Sequence, residues 1–211
     1  MNTCSHKGEH MYLNKSTAKV LQVFTGHITE FFTLREVARR LKMHVSLAHR
    51  AIKPLIEEKI VLHDKRKNLR LNYKIHHETL AFAEYLRRDE LVGKAKYKNM
   101  TLFAEELINK IKEDNFILLV FGSTVDSAKP RDIDVLLIVD NTAKIDFHEK
   151  FLHNLASSYN LPFEERVISY ESVYEMLSKR DEMNVMNEIL NKHIILYGAE
   201  SFYRLIQRGR S

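Results

Sequence analysis

The sequence predicts an α+β protein in two domains: a basic helical unit with a hairpin over residues 15–76, and a mixed sheet with helices over 113–200. Three observations carry this. Apolar residues between Lys15 and Lys59 recur at spacings of three and four, the helical period. Phe116–Phe121 and Asp132–Val139 are strand-length runs rich in Val, Ile and Leu, bounded by turn residues. Charge divides along the same line, with 14 Lys/Arg against 5 Asp/Glu over residues 15–76 and 19 against 23 in the rest, so the formal net charge of +5 conceals +9 and −4.

The 211 residues suit two small domains or one large one, and 45% apolar residues allow a packed core. One cysteine, Cys4, excludes an internal disulfide. No run of eighteen apolar residues and no apolar signal core is present, so a soluble cytoplasmic protein without a membrane partner is expected. Walker, GxGxxG, CxxC and HExxH patterns are absent, which sets kinase, dehydrogenase and metalloprotease readings aside.

Residues 1–14 are polar and aperiodic and are expected as a disordered tail. Cys4, His6 and His10 are metal-ligand types on that tail but lack a fourth partner. Ala18, Leu21, Val23 and Phe24 predict a first helix ending near Gly26. Thr33 with Glu36 three residues later is the pattern of a capping box opening a second helix. A third runs from about Val45 to Lys59, with Pro54 expected to kink it or offset its last turn. Two strand-like runs then flank the basic tip Lys65-Arg66-Lys67-Asn68.

Three helices followed by a basic-tipped hairpin resemble a winged helix-turn-helix domain. The resemblance implies that Ser46, His49 and Arg50 face DNA bases while Lys65, Arg66, Lys67 and Arg70 meet phosphates. Arg50 suits a bidentate contact to guanine. A helical domain that binds protein is the alternative reading of the same residues.

Residues 77–112 read as a charged helical connector. Ile145 to Tyr159 is amphipathic and predicts a crossover helix, with His148 and His153 on different faces as surface or satisfied histidines. Phe163–Ile168 predicts a third strand. Val173–His193 carries a Met-rich apolar stripe, Ile194–Tyr197 a last short strand, and 201–211 a tail in which a terminal helix frays.

The chemistry concentrates where the apolar strands end. Residues two apart on a strand share a face, so Asp132 and Asp134 present paired carboxylates while Ile133 points into the core. Such a pair suits Mg²⁺ or Mn²⁺ together with nucleotide phosphates. Gly122-Ser123 adds a turn that lets backbone N–H groups and a hydroxyl approach a phosphate.

This constellation, strand-Gly122-Ser123-loop-Asp132-x-Asp134-strand with a later acid and Ile194-Ile-Leu-Tyr-Gly198, resembles the nucleotidyltransferases of the DNA polymerase β superfamily, most closely the minimal prokaryotic ones. The likeness covers roughly the C-terminal half and implies a polymerase β-like mixed sheet. It further implies Asp132, Asp134 and Glu164 as the catalytic metal carboxylates, with Glu165 as the alternative third acid. Gly122 and Ser123 would bind a nucleoside triphosphate, with ATP the family expectation. The sequence differs in carrying Glu for Asp at the third position, a spacer trimmed to Thr124–Arg131, and Arg166 beside Glu164.

The implied activity is NMP or AMP transfer to a protein or nucleic-acid hydroxyl, with DNA or RNA held by the N-terminal unit. Family members act on HEPN-like protein partners, and the reading leaves room for one and for a homodimer. The alternative is a transcription regulator or antitoxin whose nucleotidyltransferase-like half only binds nucleotide or a partner protein.

Overall fold

The computed structural model describes residues 13–94, 97–127, 131–140, 142–180 and 182–210. Cys4, His6 and His10 lie outside them, as does most of the expected tail. Its last two residues are ordered: Leu13 packs on the core, and the Asn14 side chain accepts from Ser16 N and Thr17 N at 3.0 Å, capping α1 (Lys15–Thr25).

Thr33 and Glu36 form the capping box, Glu36 N donating to Thr33 Oγ1 at 3.2 Å and Thr33 N to Glu36 Oε2 at 2.7 Å, and α2 (Leu34–Arg40) follows. α3 (Val45–Glu57) runs through Pro54 as one helix. Pro54 leaves the Arg50 carbonyl without its donor, and Arg50 is exposed, so water can take the place of the missing N–H and the helix continues past the proline. β1 (Val61–His63) and β2 (Leu69–Leu71) pair antiparallel, and Phe32 adds a bridge to Leu69. Asp64 shapes the tip, accepting from Arg66 N at 2.7 Å and Asn68 N at 2.8 Å.

After α4 (His77–Val92) and α5 (Lys98–Lys110) the chain forms β3 (Phe116–Phe121), the single turn α6 (Ser123–Asp126) and β4 (Ile133–Val139). A 3₁₀ turn at Thr142–Lys144 leads into α7 (Ile145–Ser157), then β5 (Phe163–Ser169), α8 (Tyr170–Ser178), α9 (Val185–Ile189), β6 (His193–Tyr197) and α10 (Ala199–Gly209). The sheet order is β5-β4-β3-β6; β4 and β5 are parallel, with α7 as their crossover, and the other pairs are antiparallel. The protein is therefore α+β, with a mixed four-stranded sheet between helices.

Alternation splits the sheet's side chains between two cores. Leu118, Val120, Val135 and Leu137 pack with Phe103 and Leu107 of α5 and Leu152 of α7. Ile117, Leu119, Leu136 and Ile138 belong to a second cluster that continues through Phe202 and Tyr203 of α10 and Leu80 of α4 into Leu21 and Phe24 of α1.

That shared core runs across two of the expected boundaries. Residues 77–112, expected as a charged helical connector, are helical as α4 and α5, and α4 lies against both α1 and α10, with Leu80, Ala83 and Glu84 buried, because a helix rich in charge still buries one narrow stripe. The tail at 201–211 is mostly the helix α10, which buries Phe202, Tyr203, Leu205 and Ile206. The Met-rich stripe also divides, since Met186 is buried and Met183 fully exposed. Of the two histidines on α7, His148 is buried with Nε2 3.1 Å from Glu113 Oε1, and His153 is exposed.

Candidate functional site

Gly122 closes β3 with φ +63 and ψ −142, a conformation reserved for glycine. A side chain there would also collide with Asp134 Oδ2, so the turn and the carboxylate are packed against each other. α6 begins immediately at Ser123, whose hydroxyl oxygen is buried and meets no partner among the described residues. The turn is pinned from two sides. Thr124 Oγ1 donates to the Asp132 carbonyl at 3.2 Å, and Tyr97 Oη donates to the Thr124 carbonyl at 3.1 Å.

Strand pairing assembles the acids. Asp132 directly precedes β4, and Asp134 is its second residue. Asp134 stands opposite Phe121 on β3 and opposite Glu164 on β5. Paired residues point to the same face, so Asp132, Asp134 and Glu164 share one side of the sheet. Glu165 points to the other, where its carboxylate lies 2.5 Å from His153 Nδ1 of α7. Asp132 and Asp134 are half-buried, whereas Glu164 and Arg166 are exposed.

Burial raises the Asp134 carboxyl above its usual range; the Asp132 and Glu164 charges raise it further, Arg166 pulls it back and Glu188 of α9 adds to the rise. Glu188 is an acid that sequence reasoning passed over within the Met-rich segment. Beside it, Lys192 Nζ pairs with Asp126 Oδ2 of α6 at 3.2 Å.

The donor set is carboxylate oxygen with an unpartnered hydroxyl at hand, the chemistry that suits a hard cation such as Mg²⁺. Among the described residues, no three His, Cys, Asp or Glu side chains converge closely enough to hold a metal ion. The acids therefore occupy one face and one end of the sheet without forming a closed cage.

The same transverse row ends differently on its other side. His193 of β6 pairs with Phe121, and its Nε2 lies 3.3 Å from Glu84 Oε1 while Nδ1 faces the Ile189 carbonyl at 2.6 Å. Glu84 also accepts from Arg87 at 2.6 Å and from Tyr203 Oη at 2.8 Å. Burial pushes the Glu84 carboxyl up, but Arg87, His193 and Tyr203 together hold it below its usual range. No local pattern in the sequence marks this cluster, because His193 is 109 residues from Glu84.

On the N-terminal unit, Ala48, Ala51, Ile52 and Leu55 turn α3 inward. Ser46, His49 and Arg50 are left exposed, as are Lys65, Arg66, Lys67 and Arg70 around the hairpin. Ser46 is partly engaged, its hydroxyl 2.8 Å from His44 Nδ1. Among the described residues no helix is long and apolar enough to cross a membrane. No family model, curated protein or solved structure matches the chain.

Proposed function

We propose that the protein is a metal-dependent nucleotidyltransferase with a nucleic-acid-binding winged helix at its N-terminal end. The observation that carries this is Gly122 folded onto Asp134, with Glu164 paired opposite and Asp132 two residues before. Asp132, Asp134 and Glu164 line one face without converging on a single point, so they would share Mg²⁺ or Mn²⁺ with the phosphates of the nucleotide, and the ion when bound would activate an acceptor hydroxyl and offset the charge of a triphosphate and its departing pyrophosphate. Gly122 keeps the approach to the turn free of side chain, and the Ser123 hydroxyl can turn from its unpartnered position to a phosphate oxygen. The raised Asp134 carboxyl supports the reading, since a group of acids short of cations gains most from one supplied with the nucleotide.

The exposed residues of α3 and the basic hairpin tip are the side chains of the nucleic-acid face, DNA or RNA. Acceptors in this reading are a protein hydroxyl, on this chain or on an HEPN-like partner, or an RNA 3′ end. Incubation with α-labelled ATP and Mg²⁺ or Mn²⁺ should place label on one of these acceptors, and the label should vanish with Asp132→Asn. Labelling that survives the substitution would overturn the assignment.

A second reading draws on the shared core. α4 touches both the N-terminal helices and, through Glu84 and His193, the strand next to Phe121 and Gly122. A regulator that binds nucleotide without transferring it would use that path, and ATP would then shift DNA affinity with no acceptor labelled.

A further inference from the structure

Phe31 is an exposed aromatic beside the basic hairpin. Its neighbour Phe32 is fixed inward by paired backbone bonds to Leu69, of 2.9 and 2.7 Å, and is 3% exposed. Alternation therefore sends Phe31 outward, where it is 54% exposed. It lines a groove of about 690 Å³ with His63, Asp64, Lys65, Arg66 and Arg70. Asp64 is the one acid of that group, and its two oxygens are occupied by Arg66 N, Asn68 N and Asn68 Nδ2. Arg66 feels the Asp64 charge, but no direct ion pair ties Lys65, Arg66 or Arg70 to an acid among the described residues, so the groove sets three cations against one acid and offers a ligand net positive charge.

We infer that this groove takes an unpaired nucleotide, its base stacked on Phe31 and its flanking phosphates met by Lys65, Arg66 and Arg70. The inference rests on the proposed nucleic-acid face and narrows its substrate class to single-stranded DNA or RNA. An aromatic ring between cations recognises the π-face of a base, and in a duplex that face is covered by its neighbours. Charge alone would serve duplex and single strand alike; the outward Phe31 separates them.

The full-length chain can be tested by fluorescence anisotropy at low salt with a labelled single-stranded DNA, the RNA of the same sequence and the corresponding duplex. Phe31→Ala should weaken single-strand binding roughly 5- to 150-fold, the range of one lost stacking contact, and leave duplex binding unchanged. The protein has no tryptophan, so Phe31→Trp supplies a single reporter whose emission should be quenched by the single strand and not by one with abasic sites. Quenching by DNA, RNA or both says which strand the groove accepts. Unaltered single-strand affinity in Phe31→Ala, or an unquenched Phe31→Trp at saturation, overturns the inference. If duplex binding is meanwhile lost on neutralising Lys65, Arg66 and Lys67, the nucleic-acid reading of the hairpin survives it. If the wild type binds neither single strand nor duplex, both fall together.

Discussion

One transverse row of the sheet carries two acidic groups with opposite electrostatics. At the β6 end, Glu84 reaches His193 and is fully buried, yet its carboxyl lies below the usual range because Arg87, His193 and Tyr203 surround it. At the β4–β5 end, Asp134 is only half-buried, yet its carboxyl is raised, because burial is joined by Asp132, Glu164 and Glu188 and opposed only by Arg166. Phe121 stands between the two groups. Burial alone would predict the reverse order. The difference teaches that the first group is neutralised by the protein's own cations and serves cohesion, whereas the second is left short of positive charge and is suited to a cation from outside.

The largest effect expected from this comparison follows from removing Glu84. Glu84→Ala leaves Arg87 without its counter-charge and His193 Nε2 without its hydrogen-bond partner inside the interface between α4 and β6, and breaking a buried pair costs about 3–5 kcal/mol. For a chain of this size the melting temperature should fall by roughly 10 °C. The sign with pH follows from the lowered carboxyl: the stability it contributes is complete above its unfolded value, about 4.3, and is lost as pH falls through the lower folded value. Thermal melts of Glu84→Gln against wild type should therefore converge in acid, and a constant gap down to acid unfolding would show that Glu84 is not held as a carboxylate.

Gly122 offers a second way to break the comparison, from the other end. Gly122→Ala forces a side chain into a positive-φ position and against the Asp134 carboxylate, and should cost about 1–3 kcal/mol in urea unfolding. Gly93 is a suitable control, with φ −65, where an added Cβ would meet only the Asp89 carbonyl of its own helix, at 3.1 Å. Equal losses for Gly122→Ala and Gly93→Ala would mean that the turn and Asp134 are not interlocked.

How much of this was legible depends on distance along the chain. The apolar strands, the Thr33 capping box, the crossover helix and the Asp132-x-Asp134 spacing are local patterns, and local patterns survive without knowledge of the fold. The placement of Glu164 and Glu165 on opposite faces also follows from alternation alone. Glu84 and His193 were not legible as partners, because a charged residue on a charged helix gives no sign of which strand it will meet. α4 was read as a connector and α10 as part of a tail for the same reason: their buried stripes are narrow, and their polar residues outnumber them in the sequence. Glu188 was hidden inside a segment whose methionines drew the eye to packing.

Removing both aspartates should sharpen the contrast with Glu84. Asp132→Asn with Asp134→Asn relieves repulsion, so stability should be unchanged or higher by less than about 1 kcal/mol. Titration calorimetry should at the same time show Mg²⁺-dependent ATP binding abolished. If the double variant binds ATP with Mg²⁺ as tightly as the wild type, the acids at this strand end are not the metal site.

The smallest effects on stability, and the finest test of the assignment, lie in the adjacent acids of β5. Glu165 lies against His153 on the α7 face, a pair whose histidine is 69% exposed, so Glu165→Gln should cost about 0.5 kcal/mol and leave nucleotide binding alone. Glu164 is exposed opposite Asp134, and the Asp134 carboxyl is raised in part by its charge. Glu164→Gln should therefore change stability hardly at all, lower the affinity for Mn²⁺ with ATP, and bring the Asp134 carboxyl back toward its ordinary range, which carboxyl ¹³C NMR titration reads directly. A single-residue slip of β5 against β4 would exchange the two outcomes, because it moves every side chain of the strand to the other face. Comparing Glu164→Gln with Glu165→Gln thus tests the register itself: a larger loss of affinity in Glu165→Gln would return the third acid to the α7 side, far from Gly122 and Asp134.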